Sequence, residues 1–181
     1  MKAVFFAFSL FAFALPVKTL ADAIELGLFS EIVGLSYRAN LSNSYSANIG
    51  FTHSQYENRD SNLLMAGFMA RGARDQLRGE VGIQPFWLNG DHHDTYGAAI
   101  GGGAKYLITP ELWTAGHAYF APEIIVGGDF ESFYHFDIQI GYNVLPHVST
   151  YLAYQNYGAN NGKTNIEMYN GLKLGLIFKL R

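Results

Sequence analysis

The sequence predicts an all-β fold: a single transmembrane antiparallel up-and-down β-barrel, of ten strands or alternatively eight, behind a cleaved N-terminal signal peptide. Three observations carry this expectation. Segments of about ten residues recur in which apolar and polar side chains alternate, the period of a strand with two different faces. Charged residues make up only 15% of the chain, against roughly 25% in an average soluble domain. The chain also opens with an export leader.

In the leader, Met1 and Lys2 precede the apolar run AVFFAFSLFAFAL (3–15), and Pro16 and small residues follow. The run is well short of the roughly 20 residues that a spanning helix needs, so it reads as a signal peptide. Residues 1–21 are assigned to it, with cleavage after Ala21 or Ala23, and residues 22–181 to the barrel domain. The chain has no cysteine, so stability has to come from burial and backbone pairing. Its formal charge of −3 becomes more acidic once Lys2 and Lys18 are removed, which argues against nucleic acid as a partner.

After the leader, Ile24, Leu26 and Leu28 share one phase, and Val33, Leu35, Tyr37, Ala39 and Leu41 share the opposite one. A bulge or a tight reversal therefore lies near Ser30 and Glu31. Alternation resumes at Ala47, Ile49, Phe51 and His53, and QYENRDSN (55–62) reads as a loop. Leu64, Ala66, Phe68 and Ala70 form the next strand, turned by GARDQ. Leu77, Val81, Ile83 and Trp87 follow, with Pro85 predicting a local defect such as a bulge, because proline has no amide N–H to give a ladder.

AAIGGGAKYLI (98–108) makes another strand, turned by TPEL, and WTAGHAYFA (113–121) is ambiguous because both of its faces carry aromatics. PEIIVGGDFES (122–132) reads as a longer loop. FYHFDIQIGYNV (133–144) alternates almost without fault and is turned by LPH. A weaker strand at 148–157, the loop GANNGKTN (158–165) and a final strand through Leu172, Leu174, Leu176, Phe178 and Leu180 complete the chain. Long loops are thus expected at one end and short turns at the other, the pattern of bacterial outer-membrane barrels.

The polar face decides between a soluble barrel and a membrane one. A soluble barrel needs an outer face rich in Lys and Glu. This face is Gly, Ser, Asn, Gln and Thr with isolated charges, and Arg38, Arg71, Arg78, Glu80, Lys105, His135, Asp137, Gln139 and Lys173 are assigned to the lumen. The apolar face is then expected to meet lipid, with Trp87, Tyr37, Tyr142 and Tyr154 near the membrane interfaces. Gly101, Gly103, Gly141 and Gly175 are expected to thin the filling of the lumen.

YFAPE (119–123) and the hairpin GYNVLPHVSTYLAYQNY (141–157), on an exported small barrel, resemble the YfaZ family of small outer-membrane proteins. The resemblance extends over most of the mature chain. It implies an outer-membrane location in a Gram-negative bacterium and carries over no catalytic residue.

Other chemistry in the sequence is sparse. DHHD, comprising Asp91, His92, His93 and Asp94, is the one dense group of metal-ligand side chains, and a polar loop tip accounts for it more simply. His147 and Ser149 lie two apart, the spacing of a base and a hydroxyl nucleophile, but beside a short turn without a nearby acid. No catalytic residue and no cofactor is therefore assigned. Acidic residues gather at the loop end, where divalent cations shared with lipopolysaccharide phosphates would find carboxylate oxygens.

The expectation is a monomeric, non-enzymatic outer-membrane barrel with a mostly filled lumen and a structural or surface-interaction role. Its partners are outer-membrane lipids, lipopolysaccharide and the outer-membrane assembly machinery. The alternatives are a narrow porin-like channel for small polar solutes or ions, and a lipid-modifying enzyme.

Overall fold

The computed structural model describes residues 23–90, 93–162 and 164–180. The signal peptide lies outside these residues, as do Asp91 and His92. Strands β1 (Ala23–Phe29), β2 (Ile32–Asn40), β3 (Tyr45–Tyr56), β4 (Arg59–Arg74), β5 (Leu77–Gly90), β6 (His93–Leu107) and β7 (Leu112–Ala121) are followed by the short β8 (Val126–Gly128). Then come β9 (Ser132–Leu145), β10 (Val148–Asn160) and β11 (Asn165–Lys179).

Ten of these strands run in the antiparallel order β5-β4-β3-β2-β1-β11-β10-β9-β7-β6, and β5 pairs with β6 to close the barrel. The phase reversal between Leu28 and Val33 is the β1–β2 hairpin, with Phe29 opposite Ile32. β8 pairs with β6 at Thr95, Tyr96 and Gly97, just beyond the point where the β6–β7 pairing stops at Ile100. The segment between β7 and β9 is thus folded into the wall, and the Asp129 amide donates to the Asp94 carbonyl (3.0 Å).

Two sequence expectations are corrected. QYENRDSN is not a long loop: β3 and β4 pair through it to Tyr56 opposite Arg59, leaving a two-residue turn at Glu57 and Asn58. Both turn residues have positive φ (50° and 62°), as the type I′ turns that suit hairpin twist require. Pro85 makes no bulge either: pairing lapses at residues 66–67, but Met65 opposite Phe86 and Phe68 opposite Ile83 keep one register.

The strands outlast their sequence signal because the polarity of the wall changes along the barrel axis. Through the middle, Ile138, Ile140, Leu174 and Leu176 face outward and are exposed. One row further toward the end opposite the termini, the outward positions become polar. His53, Asn62, Asn89 and Asp94 are neighbours in register around the wall, and Asn156 lies opposite Asn170. His53 and Asn62 are hydrogen-bonded to each other (3.0 Å), and Asn89 donates to Asp94.

Just below this polar ring sit the outward-facing Trp87, Tyr96 and Tyr154, each two residues along its strand from Asn89, Asp94 and Asn156. Their place at the edge of the apolar belt is the position aromatic girdles take in membrane barrels. Tyr37 and Tyr142 lie toward the opposite end, past the midpoints of β2 and β9.

Candidate functional site: a closed lumen with an inward-facing vestibule

The lumen is built in three tiers. The tier at the end away from the termini is apolar and closed. Leu63, Leu88, Ala99, Ala121, Phe133, Tyr157, Ala159 and Tyr169 are each at most 1% exposed, and they form one cluster with Ile32, Phe86, Tyr119 and Phe130. Phe86 stacks on Phe133 with ring centroids 4.2 Å apart. Phe130 reaches the cluster from the β8–β9 segment. A hydroxyl set ties strands from opposite sides of the barrel: Tyr157 donates to Ser54 (2.9 Å), Ser54 and Ser61 are 2.7 Å apart, and Ser54 bonds the Met168 carbonyl (2.8 Å).

Above the belt the barrel is therefore polar outside and apolar inside, and within the belt it is the reverse. This plug was missed in the sequence. Its residues sit on strands whose two faces exchange polarity near their outer ends, so a fixed period-two reading loses them. The mixed pattern of WTAGHAYFA is the visible trace: Trp113, His117 and Tyr119 point in and Phe120 points out.

The middle tier is ionic. Arg38 makes a forked pair with Glu80 (Nη1 to Oε2 3.0 Å, Nη2 to Oε1 3.2 Å). His117 stands between two carboxylates, its Nδ1 3.0 Å from Asp137 and its Nε2 3.7 Å from Glu80. Gln139 donates to Asp137 (2.9 Å), and Gln155 lies 3.1 Å from His135. Lys173 is 3.6 Å from Glu25, which also accepts from the Tyr151 hydroxyl. Unpaired charges in so confined a space would be costly, and each carboxylate here has a cation or a donor beside it. These groups surround a small cavity of about 110 Å³.

The third tier is a wider vestibule of about 540 Å³ at the end that carries the termini. Arg71, Arg78, Lys105 and Lys179 line it, with Arg38, Glu80 and His117 at its floor. Lys105 lies over the Trp113 ring, 3.5 Å from the centroid. All nine residues assigned to the lumen from sequence line one or both chambers.

The glycines do not thin the filling as expected. Gly141 stands opposite Trp113, and Gly175 opposite Tyr151. A Cβ at either glycine would run into that ring, and one at Gly103 or Gly101 would meet His117 or Tyr119. Each glycine makes room for a ring crossing the lumen, so the gaps are occupied.

Ser149 is buried and donates to Asn143 (2.7 Å), while His147 sits in the exposed turn before it. In the DHHD segment, Asp91 and His92 lie outside the described residues. His93 faces Asp129 (3.6 Å), and the Asp94 amide donates to the same carboxylate (2.8 Å). Among the described residues no group of three His, Asp or Glu side chains converges on a metal position.

A closed antiparallel barrel with an apolar outer belt and a polar interior is the architecture of transmembrane β-barrels of the outer-membrane kind. The chain belongs to the YfaZ family, whose model, described as YfaZ precursor, matches residues 2–179. No curated protein matches it. Among solved structures it is similar to a bacterial polysaccharide outer membrane secretin, at 8% identity and TM-score 0.49, over 83% of this chain and 58% of that one. It is also similar to a KdgM porin in complex with disordered oligogalacturonate, at 9% identity and TM-score 0.46, over 90% of this chain and all 100% of that one. A NanC porin is similar at 12% identity and TM-score 0.46, over 89% of this chain and 100% of that one.

Proposed function

We propose that this protein resides in the outer membrane as a closed, non-conducting barrel with a structural or surface-interaction role. The observation that carries this reading is the packed tier of Phe86, Phe133, Tyr157 and Tyr169, with Tyr157 fully buried and hydrogen-bonded across the lumen. A barrel of this strand number encloses little more than its own side chains, and here the enclosed space is filled at one end. The apolar belt and its aromatic rim suit contact with lipid, and the outer polar ring suits the headgroup and water side, including lipopolysaccharide. A leader at the N-terminus fits delivery to the outer-membrane assembly machinery. The chain acts as a monomer, since a closed barrel leaves no free sheet edge for a second copy to extend.

A channel would require the plug to part, and an enzyme would require a free nucleophile, whereas the Ser149 hydroxyl donates to Asn143. Planar-bilayer recording tests the closed state. The wild-type barrel should give no reproducible unitary steps, and the doubly truncated Phe86→Ala, Phe133→Ala barrel should give them if it folds. Wild-type steps as large as those of the truncated form would overturn the reading.

A further inference from the structure

We propose that the vestibule at the terminal end is a binding site for a small multivalent oxyanion, carrying phosphate or carboxylate groups, held chiefly by Arg78 and Lys105. Folding leaves positive charge in the vestibule uncompensated. The two carboxylates lining the vestibule, Glu25 and Glu80, are taken up by Lys173 and by Arg38 with His117. Arg71, Arg78, Lys105 and Lys179 line the same space and, among the described residues, form no ion pair.

Arg78 and Lys105 are direct cross-strand partners on β5 and β6 and point into the same chamber. Like charges directly opposite one another on a sheet are destabilising, so packing gives no reason to put them there. An anion lying between them would turn that repulsion into two attractions. Arg71 adds its charge from the neighbouring strand, held in place by the Asn40 side chain and the Ser42 carbonyl (2.7 Å for the latter). Lys105 is held by its stacking on Trp113, so two of the three cations are already positioned before a ligand arrives.

The shape agrees with the charge. About 540 Å³ falls within the roughly 300–1,000 Å³ typical of small-ligand pockets. Low-dielectric walls lined with one sign of charge focus the field and raise the local concentration of the opposite ion. The pocket reading rests on the closed lumen: with the outer tier packed, the vestibule is a blind chamber and not one end of a path. The longest connection between barrel strands, from β7 to β9, lies at the opposite end, and in barrels of this kind the longer loops are extracellular, so the ligand would come from the periplasmic side.

Calorimetric titration of the folded barrel in an uncharged detergent at low salt tests the site, with inorganic triphosphate and citrate as probes and sucrose as the neutral control. Both anions should bind saturably, one per barrel, with affinity falling as salt is added, and sucrose should not bind. Arg78→Gln combined with Lys105→Gln should weaken anion binding at least tenfold, while Arg59→Gln, at the start of β4 beside the outer turn, should leave it unchanged. Migration of the unheated band on a gel establishes that each variant is folded. As a second readout, triphosphate should raise the melting temperature of the wild type and not of the double variant.

The absence of saturable binding, equal binding by the folded double variant, or equal affinity for sucrose would each overturn the proposal. Conducting wild-type barrels that still bind triphosphate through Arg78 and Lys105 would overturn the closed lumen and leave the site standing.

Discussion

Gly141 and Gly175 show how single residues decide what this lumen contains. On a strand, glycine normally weakens pairing and packing. Here each one is the floor on which a ring from the neighbouring strand lies, Trp113 on Gly141 and Tyr151 on Gly175. The consequence is testable. Gly175→Leu should cost at least the 1–3 kcal/mol typical of an overpacked core, because the Tyr151 ring it would strike is itself hydrogen-bonded to Glu25. The measure is the urea midpoint of the folded barrel in detergent, and an unchanged midpoint would mean that the ring has somewhere else to go. Sequence identified these glycines as inward-facing but not their partners, since a glycine opposite an aromatic is a property of register between strands, and register is invisible along one strand.

At the scale of the element, β9 carries the clearest pattern in the chain, and its two faces behave as that pattern implies. Ile138 and Ile140 are half exposed outward, while His135, Asp137 and Gln139 are buried in the lumen. β3 and β4 were harder to read. Beyond His53 and Asn62 both faces turn polar, with Gln55 and Asp60 exposed outside and Ser54 and Ser61 buried inside, so the alternation disappears and the segment resembles a loop. Strand existence was therefore accessible wherever lipid lies outside and charge inside, and strand length was not. The same contrast sets a prediction for lysine substitutions. Ile140→Lys should cost about 2–4 kcal/mol near the bilayer midplane, whereas Asn156→Lys, above the belt, should cost about 0–1 kcal/mol. Folding yield into lipid vesicles measures both, and equal losses would mean that the belt does not end at the asparagine ring.

For the whole molecule, the tiers fit together as one device: a plug at one end, an ion-paired middle and a cationic chamber at the other. The ionic middle was largely anticipated, because isolated charges on the polar phase of several strands have few places to go except the lumen. The plug was not, because Phe133, Tyr157 and Phe130 come from separate elements, one of them a segment expected to be a loop, and only closure of the barrel brings them together. The reversal from apolar-outside to polar-outside is the property from which the other two follow. It lets long strands project beyond the membrane without exposing an apolar wall, and it supplies the apolar interior that closes the lumen.

That reversal can be read directly by cysteine labelling, since the natural chain contains no cysteine and gives no background. Single cysteines at Ile138, Asn62, Asn156 and Leu63 are to be treated, in intact cells, with a membrane-impermeant maleimide. The account predicts labelling at Asn62→Cys and Asn156→Cys, and protection at Ile138→Cys by lipid and at Leu63→Cys by the plug. Protection at both asparagine positions together with labelling at Leu63→Cys would contradict it.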